Sequence, residues 1–221
     1  MNSQNNILLF LKKLKKNNNR EWFNANKDQY EEVKAAFQEL INNLIAEISK
    51  FDPSIGHLES KNCIFRIYRD VRFSPNKAPY KTNLGAHITL ADKTTERAGY
   101  YLQIEPGNSF IGGGAYHPSP QWIKAIREAI DYNGEELIKI VESSLFKKYF
   151  GSINGEKLTR NPKGFTIEHP NIELLKFKSL TAIHSLEDDK ISSPDLIKYT
   201  GKVFKTLMPF NNYLNHALEE I

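Results

Sequence analysis

The sequence predicts an α+β fold in which a mainly antiparallel sheet is flanked by N-terminal and C-terminal helices. Apolar residues recur at helical spacing near both ends of the chain, whereas they alternate with polar residues in its middle. The connections between the alternating segments are too short for helical crossovers, which favours an antiparallel meander. We expect a single domain over residues 1–221, since no linker or internal repeat interrupts the sequence.

The N-terminal part carries the strongest helical pattern. Apolar spacing predicts helices over 4–16 and 27–50. Between them, REWFNA predicts a further turn of helix, and Asn26 followed by Gln29 resembles a capping box. The segment FDPSIG then ends the long helix.

The middle of the chain changes to a period of two residues. Alternation predicts strands in CIFRIYRD, NLGAHITL and GYYLQIE. The turn EPGNSF joins the strand over 99–105 to one over 109–116 as a hairpin. Because side chains alternate along a strand, Arg66 and Arg69 should face opposite ways, with Arg69 on the same buried face as Phe65.

The C-terminal part returns to helical spacing. The Ser-Pro pair at 119–120 fits the cap and first position of a helix, and a further helix is expected over 134–149. Residues 151–191 look irregular, with one or two short strands. The Ser-Pro pair at 193–194 repeats the cap signal for a helix that should end ahead of Pro209, where a last helical piece starts.

Composition limits the function classes. A net charge of +4 and a pI near 8.9 permit an anionic partner without requiring one, and dedicated nucleic-acid binders are often more basic. No apolar run approaches the roughly 20 residues of a membrane span, and the N-terminus lacks the order of a signal peptide. Since Cys63 is the only cysteine, we expect no internal disulfide and a cytoplasmic, bacterial-type protein.

The segment RIYRDVRFSPNKAPYKTN, residues 66–83, carries five basic side chains against one acid. We interpret this basic loop as the centre of a cleft for a phosphorylated or carboxylated small molecule, because Arg matches both anions geometrically and Lys adds a point charge. The expected anion ligands in the loop are Arg66, Arg72, Lys77, Tyr80 and Lys81. Arg69 and Asp70 are expected to form a structural ion pair, since an Arg on a buried face needs a partner.

Further candidate ligands lie outside the basic loop. In FIGGGAYHPSP, Gly113 and His117 could meet an anion near a helix N-terminus, although a β-bulge or tight packing would also explain the glycines. Arg160 and Lys163 could complete the basic cleft or belong to a solvated loop. Tyr80 or His117 could act in proton transfer. No histidine spacing suits a metal site, and neither a metal nor a cofactor is predicted.

Two other function classes remain open. The first is a nucleic-acid-binding module that places the basic loop on backbone phosphates. The aromatic residues interleaved with its basic residues would suit base stacking, and core packing explains them equally well. The second is an interaction protein in which the charges form a purely structural network. No catalytic residue and no oligomeric state are assigned from the sequence.

The segment FRIYRDVRFSPNKAPYKTN resembles the central signature of domain-of-unknown-function family 2461, found in bacteria and fungi, whose pattern is roughly R-x-Y-R-D-x-R-F-S-x-D-K-x-P-Y-K-T. LKKNNNREWFNANKDQYE, YYLQIEPGNSFIGGGAYHPSP and LTRNPKGFTIEHP resemble other segments of the family, so the match runs along most of the chain. The resemblance implies membership and no activity. Asn76 stands where the pattern has Asp, which weakens a mechanism centred on a carboxylate there.

Overall fold

The computed structural model describes residues 3–90 and 96–219. Contacts among them group into two compact units. The first unit comprises the described residues of Met1–Ile88, Tyr101–Ile111 and Ser185–Lys202, and the second comprises those of Thr89–Tyr100, Gly112–His184 and Val203–Ile221. The single domain expected over residues 1–221 stays a prediction.

One antiparallel sheet is present in the described part of the chain, with the strand order β1-β2-β3-β4. Its strands are β1 (Leu84–Ile88), β2 (Tyr100–Ile104), β3 (Ser109–Ala115) and β4 (Leu180–Leu186). Helices at both ends of the chain flank the sheet, which confirms the predicted α+β class. The first three strands follow the predicted meander, and β4 falls in the segment expected to be largely irregular.

The helices of the described residues bracket these strands in sequence. They are α1 (Ser3–Lys16), α2 (Arg20–Ala25), α3 (Lys27–Ile48), α4 (Ser60–Cys63), α5 (Pro120–Glu142), α6 (Ser144–Phe150), α7 (Ile172–Leu175), α8 (Asp188–Ile191) and α9 (Leu196–Glu219), with a 3₁₀ turn at Pro53–Ile55. None of them is both long enough and apolar enough to cross a bilayer.

The first unit is built on the predicted N-terminal helices. The apolar stripes of α1 and α3 are buried, and Phe10, Phe23 and Phe37 are among the largest fully buried side chains. The capping box predicted at Asn26 is wrong: its side chain makes no cap bond to α3, and its Nδ2 instead donates to the carbonyl of Trp22 at 2.8 Å. That bond fastens the C-terminal end of α2.

The strand predicted in CIFRIYRD is also wrong. Its first residue ends the short helix α4, and the residues that follow are extended but make only isolated bridges. Phe65, expected to be buried, is 48% exposed. The N–H of Phe65 still donates to the Gly85 carbonyl at 3.0 Å, so this segment lies beside β1 without joining the sheet as a regular strand.

The C-terminal helices are longer than predicted. Ser119 caps α5 as expected, its Oγ accepting from the Trp122 N–H at 3.2 Å, and α5 then continues through a kink at Asn133. The last helix begins at Leu196, after the expected cap, and passes through Pro209. A proline inside a helix removes a backbone hydrogen bond, and fully buried apolar side chains on both sides of Pro209 compensate for it.

Candidate functional site

The basic loop is a closed hairpin-like excursion of the first unit. Two antiparallel bridges close it, Tyr68 with Tyr80 within the loop and Ile64 with Ala86 just outside it. The Tyr68–Tyr80 bridge consists of two backbone hydrogen bonds, 2.9 Å from the Arg69 N–H to the Pro79 carbonyl and 2.8 Å from the Lys81 N–H to the Ile67 carbonyl. The residues at 70–78 therefore form a turn whose two ends are fixed.

Arg69 is half-buried and holds this turn from inside. Its guanidinium donates to the Ala78 carbonyl at 2.8 Å and to the Asn76 carbonyl at 3.4 Å. A third bond reaches the Oγ of Ser74 at 3.3 Å. These bonds take up three of the five N–H donors of the guanidinium with the loop's own acceptors, so Arg69 is a structural centre of the turn.

Asp70 has a different partner from the one predicted. Its carboxylate is gripped by Arg72, whose Nε and second terminal nitrogen donate to the two carboxylate oxygens at 3.0 and 2.7 Å. This pairing lowers the pKa of Asp70 and raises the pKa of Arg72. The Arg69 guanidinium donates its hydrogen bonds to backbone carbonyls and a hydroxyl of the turn and forms no ion pair with Asp70. Because Arg72 already carries a counter-charge, it is a weaker candidate for an anion than its charge alone suggests.

Lys77 and Asn76 also serve the turn. The Lys77 ammonium donates to the Val71 carbonyl at 3.0 Å. The Asn76 side-chain oxygen accepts from the Ala78 N–H at 2.9 Å, which is the bond of an Asx turn. An Asp side chain could accept the same bond, so the departure of Asn76 from the family pattern preserves the local geometry.

Tyr80 anchors the returning arm to the helices. Its ring is 4% exposed and stacks on Phe23 with a centroid separation of 3.9 Å. Its backbone is held on both sides by Asn18, which donates to the Tyr80 carbonyl at 2.9 Å and accepts from its N–H at 3.1 Å. Burial raises the pKa of the Tyr80 phenol, which disfavours the proton-transfer role considered for it.

Between this anchor and the turn lies an open depression of about 390 Å³. Its walls are Asn18, Arg69, Asn76, Ala78, Tyr80, Lys81, Thr82 and Asn83. We call it the basic depression. Three of its wall residues, Arg69, Tyr80 and Lys81, come from the predicted site and ion-pair residues of the basic loop.

The described residues give hydrogen-bond partners to Arg69, Arg72 and Lys77, but they give none to the side chains of Lys81 and Arg66. Burial, and then the charge of Arg66, lower the pKa of the half-buried Lys81 ammonium. Within residues 3–90 and 96–219, neither side-chain cation makes a hydrogen bond or ion pair. Asp70 attracts Arg66 from a distance, while its carboxylate is held by Arg72. Two neighbouring cations therefore remain available to an anion.

An aromatic surface adjoins Lys81. The Lys81 ammonium lies 5.5 Å from the ring centroid of Phe65. The Phe65 ring lies 6.3 Å from that of Tyr101, which in turn lies 5.5 Å from that of Phe110. We call these three rings the aromatic face. A Cβ on Gly85 would come within 2.7 Å of the Tyr101 hydroxyl, so the glycine makes room for this ring.

A chain of hydrogen bonds connects the aromatic face to the basic depression. The Tyr101 hydroxyl donates to Gln103 Oε1 at 3.1 Å, and Gln103 Nε2 donates to Glu105 at 3.0 Å. Glu105 also accepts from Asn108 at 3.1 Å and from the hydroxyl of Thr82, a wall residue of the depression, at 2.9 Å. Neutral donors thus fix the Glu105 carboxylate in one orientation.

His87 lies on the same side of β1 as Gly85, because residues two apart share a strand face. Burial lowers its pKa, so the imidazole is kept neutral. Its ring makes no hydrogen bond within the described chain. A neutral imidazole of this kind offers one donor and one acceptor to a ligand.

Comparison with known proteins agrees with the resemblance seen in the basic loop. The family model described as "Conserved hypothetical protein (DUF2461)" matches residues 6–213, nearly the whole chain. The chain belongs to the DUF2461 family. No curated protein and no solved structure matched it in the same comparisons.

The remaining predicted ligands of this DUF2461 chain belong to the second unit. Gly113 lies within β3, where a Cβ would come 2.2 Å from the Gly99 carbonyl oxygen, so close packing explains the glycine. His117 is exposed, with φ at 48°, and its N–H donates to Ser179 Oγ at 3.1 Å. The remaining two, Arg160 and Lys163, are exposed.

Two further groups of chemical interest among the described residues are the Cys63 thiol and the possible metal ligands. The Cys63 thiol is buried, which raises its pKa and disfavours the thiolate. A search of the part of the chain that the structure describes finds no group of three or more His, Cys, Asp or Glu side chains that could hold a metal ion.

Several residues now prominent were not predicted from the sequence as site residues. Phe65 and Thr82 lie beside Lys81, and Glu105 collects donors from three segments. The sequence did contain a signal for Glu105. A carboxylate that directly follows a strand and precedes a turn can accept hydrogen bonds from side chains of both, as Glu105 does from Gln103 and Asn108. No comparable signal identified Phe65, whose alternation pattern indicated burial.

Proposed function

We propose that the protein binds a small phosphorylated or carboxylated molecule in the basic depression, with Lys81 and Arg66 supplying the counter-charge. The observation that carries this proposal is a half-buried lysine ammonium that lines an open depression of about 390 Å³ and makes no hydrogen bond or ion pair within the described residues. Partial burial makes the charged form of Lys81 less favourable, and an anion in the depression would offset that cost.

Other donors near Lys81 support the same proposal. The side chain of Asn83 makes no hydrogen bond within the described chain, and the Nδ2 of Asn76 makes none there either. Both residues line the basic depression. An ammonium and amide N–H groups that line one cavity are donors that phosphate and carboxylate groups can use, and the charge of Arg66 acts on Lys81 from outside the lining.

Arg69, Arg72 and Lys77 have a supporting role in this proposal. Arg69 and Lys77 donate to carbonyls of the turn, and Arg72 is neutralised by Asp70. The bonds of Arg69 and Lys77 hold the turn in shape before a ligand arrives, which reduces the ordering cost of binding. The proposal includes a cytoplasmic location. Cys63 is the single cysteine of the sequence, so no internal disulfide can form, which fits a reducing compartment.

Contact with nucleic-acid phosphates is a second candidate function, favoured by one observation. Phe73 is 95% exposed at the tip of the turn and lies 5.9 Å from the Arg72 guanidinium. An exposed ring beside cations is the arrangement that stacks on single-stranded bases. Binding to an oligonucleotide that weakens steeply with salt, and is lost in Phe73→Ala, would support it.

Titration calorimetry of inorganic phosphate, ribose 5-phosphate and citrate tests the main proposal. We expect at least one of them to bind, and Lys81→Gln to weaken its Kd at least about tenfold, since a charge-assisted bond is lost. Lys34→Gln is the matched control, because Lys34 is an exposed lysine of the same unit that pairs with Glu31 on α3. Its Kd should stay within about twofold of wild type.

Two results would contradict the proposal. One is binding of none of the three compounds by the wild-type protein at millimolar concentration. The other is equal binding by Lys81→Gln and Lys34→Gln, which would place the anion elsewhere. Either result would favour the purely structural interpretation of the charges.

A further inference from the structure

We infer that the anion is attached to an aromatic or heteroaromatic ring, and that the aromatic face binds this ring. The inference rests on the proposed function and names the class of ligand. It starts from the order of groups on the surface: Lys81, then Phe65, then Tyr101, then Phe110, each within 6.3 Å of the next. A cation is thus followed by three adjoining rings.

The exposure of these rings is the first argument. Phe65 keeps 48% of its surface open, although a phenylalanine gains most by complete burial. Tyr101 and Phe110 are each partly exposed. The ring planes of the neighbouring pairs are tilted by 52° and 39°, so the three partly exposed side chains form an aromatic surface on which another ring can pack.

The positive charge beside the rings indicates which class of ligand fits this surface. The open aromatic surface begins at the Phe65 ring, 5.5 Å from an ammonium that has no counter-ion within the described residues. A ligand that fits both features has an anionic group at one end and a flat apolar ring at the other. A sugar phosphate or a citrate would satisfy Lys81 and leave the rings uncovered.

Polar groups beside the rings fit a heteroaromatic edge. His87 lies on the strand face that Tyr101 shares with Gly85, and its ring makes no hydrogen bond within the described residues. Glu105 accepts three side-chain hydrogen bonds of the roughly four that a carboxylate can take. A donor and an acceptor on the ligand ring would therefore find partners on this face.

The experiment compares ligands that share the anion and differ in the ring. Ribose 5-phosphate is titrated beside adenosine 5′-monophosphate, uridine 5′-monophosphate and phenyl phosphate. We expect at least one ring-bearing phosphate to bind about tenfold or more tightly than ribose 5-phosphate, the increment of one stacked ring. Phe65→Leu should abolish that difference while the Kd of ribose 5-phosphate changes less than about twofold.

A control variant isolates the surface. Phe73→Leu removes an exposed ring of the same unit that lies outside the aromatic face, and it should keep the full preference for the ring-bearing ligand. A thermal melt of each variant checks that it is folded.

The outcomes separate this inference from the proposed function. If ribose 5-phosphate binds and no ring-bearing phosphate exceeds it, the ring inference is overturned and the anion site stands. If a ring-bearing phosphate binds more tightly and Phe65→Leu keeps that advantage, the ring lies elsewhere and the inference is overturned. If no phosphate binds at all, the ring inference is overturned, and the anion site is overturned as well unless citrate binds.

Discussion

Replacement of Gly113 by alanine is expected to lower the free energy of unfolding by about 3 kcal/mol, at the upper end of the cost of overpacking a filled interior. A Cβ at this position would lie 2.2 Å from the Gly99 carbonyl oxygen and 2.8 Å from a methyl group of Leu207. The leucine can rotate, whereas the carbonyl belongs to the backbone next to β2. The strand must therefore shift, and urea unfolding followed by circular dichroism would measure the loss.

Gly107→Ala is the matched control for this prediction. Gly107 has φ at 74°, but a Cβ there would meet nothing within 4 Å. Gly107→Ala therefore introduces backbone strain but no steric clash. It should lower the free energy of unfolding by about 1 kcal/mol. If Gly113→Ala is as stable as the wild type and instead loses affinity for a bound anion, the packing explanation fails and the ligand role predicted for Gly113 returns.

Arg69→Met should lower the free energy of unfolding by about 2 kcal/mol and free the turn at 70–78. Methionine keeps much of the apolar stem and removes the guanidinium, so the acceptors on Ser74, Asn76 and Ala78 lose their shared donor. Hydrogen exchange across the turn should accelerate, and binding of any anion should weaken although Lys81 is intact.

Arg72→Met removes the same charge from the same turn and serves as the control. Arg72 is exposed and pairs with Asp70, also exposed, so its removal should change the thermal midpoint little. Equal effects of the two substitutions on stability and on exchange would contradict the structural role assigned to Arg69.

Local sequence patterns predicted most of the secondary structure, because the spacing of apolar residues and the presence of a helix-capping residue can both be read from a short segment. The spacing of apolar residues predicted α1 and α3, and Ser119 marked the start of α5. The failures depend on tertiary contacts. Burial of neighbouring residues carries α9 through Pro209, and an alternating pattern near Phe65 produced an extended segment with isolated bridges instead of a strand.

The candidate site shows the same division. The concentration of charge at 66–83 was visible in the sequence, as was the reason for expecting Arg69 to be structural. The sequence does not distinguish Arg72 from Lys81, since both are basic residues in one loop. Only the structure shows that Asp70 neutralises Arg72 while Lys81 lines an open depression with no such partner in the described chain.

The pKa of the Lys81 ammonium, measured by NMR with and without phosphate, tests the central claim most directly. Lys81→Gln identifies the signal. Without a ligand the pKa should lie below its ordinary value of 10.5, because burial and Arg66 both disfavour the charged form. Saturating phosphate should raise it, because a nearby anion favours the charged form. A pKa at the ordinary value that phosphate leaves unchanged would contradict the proposed anion site.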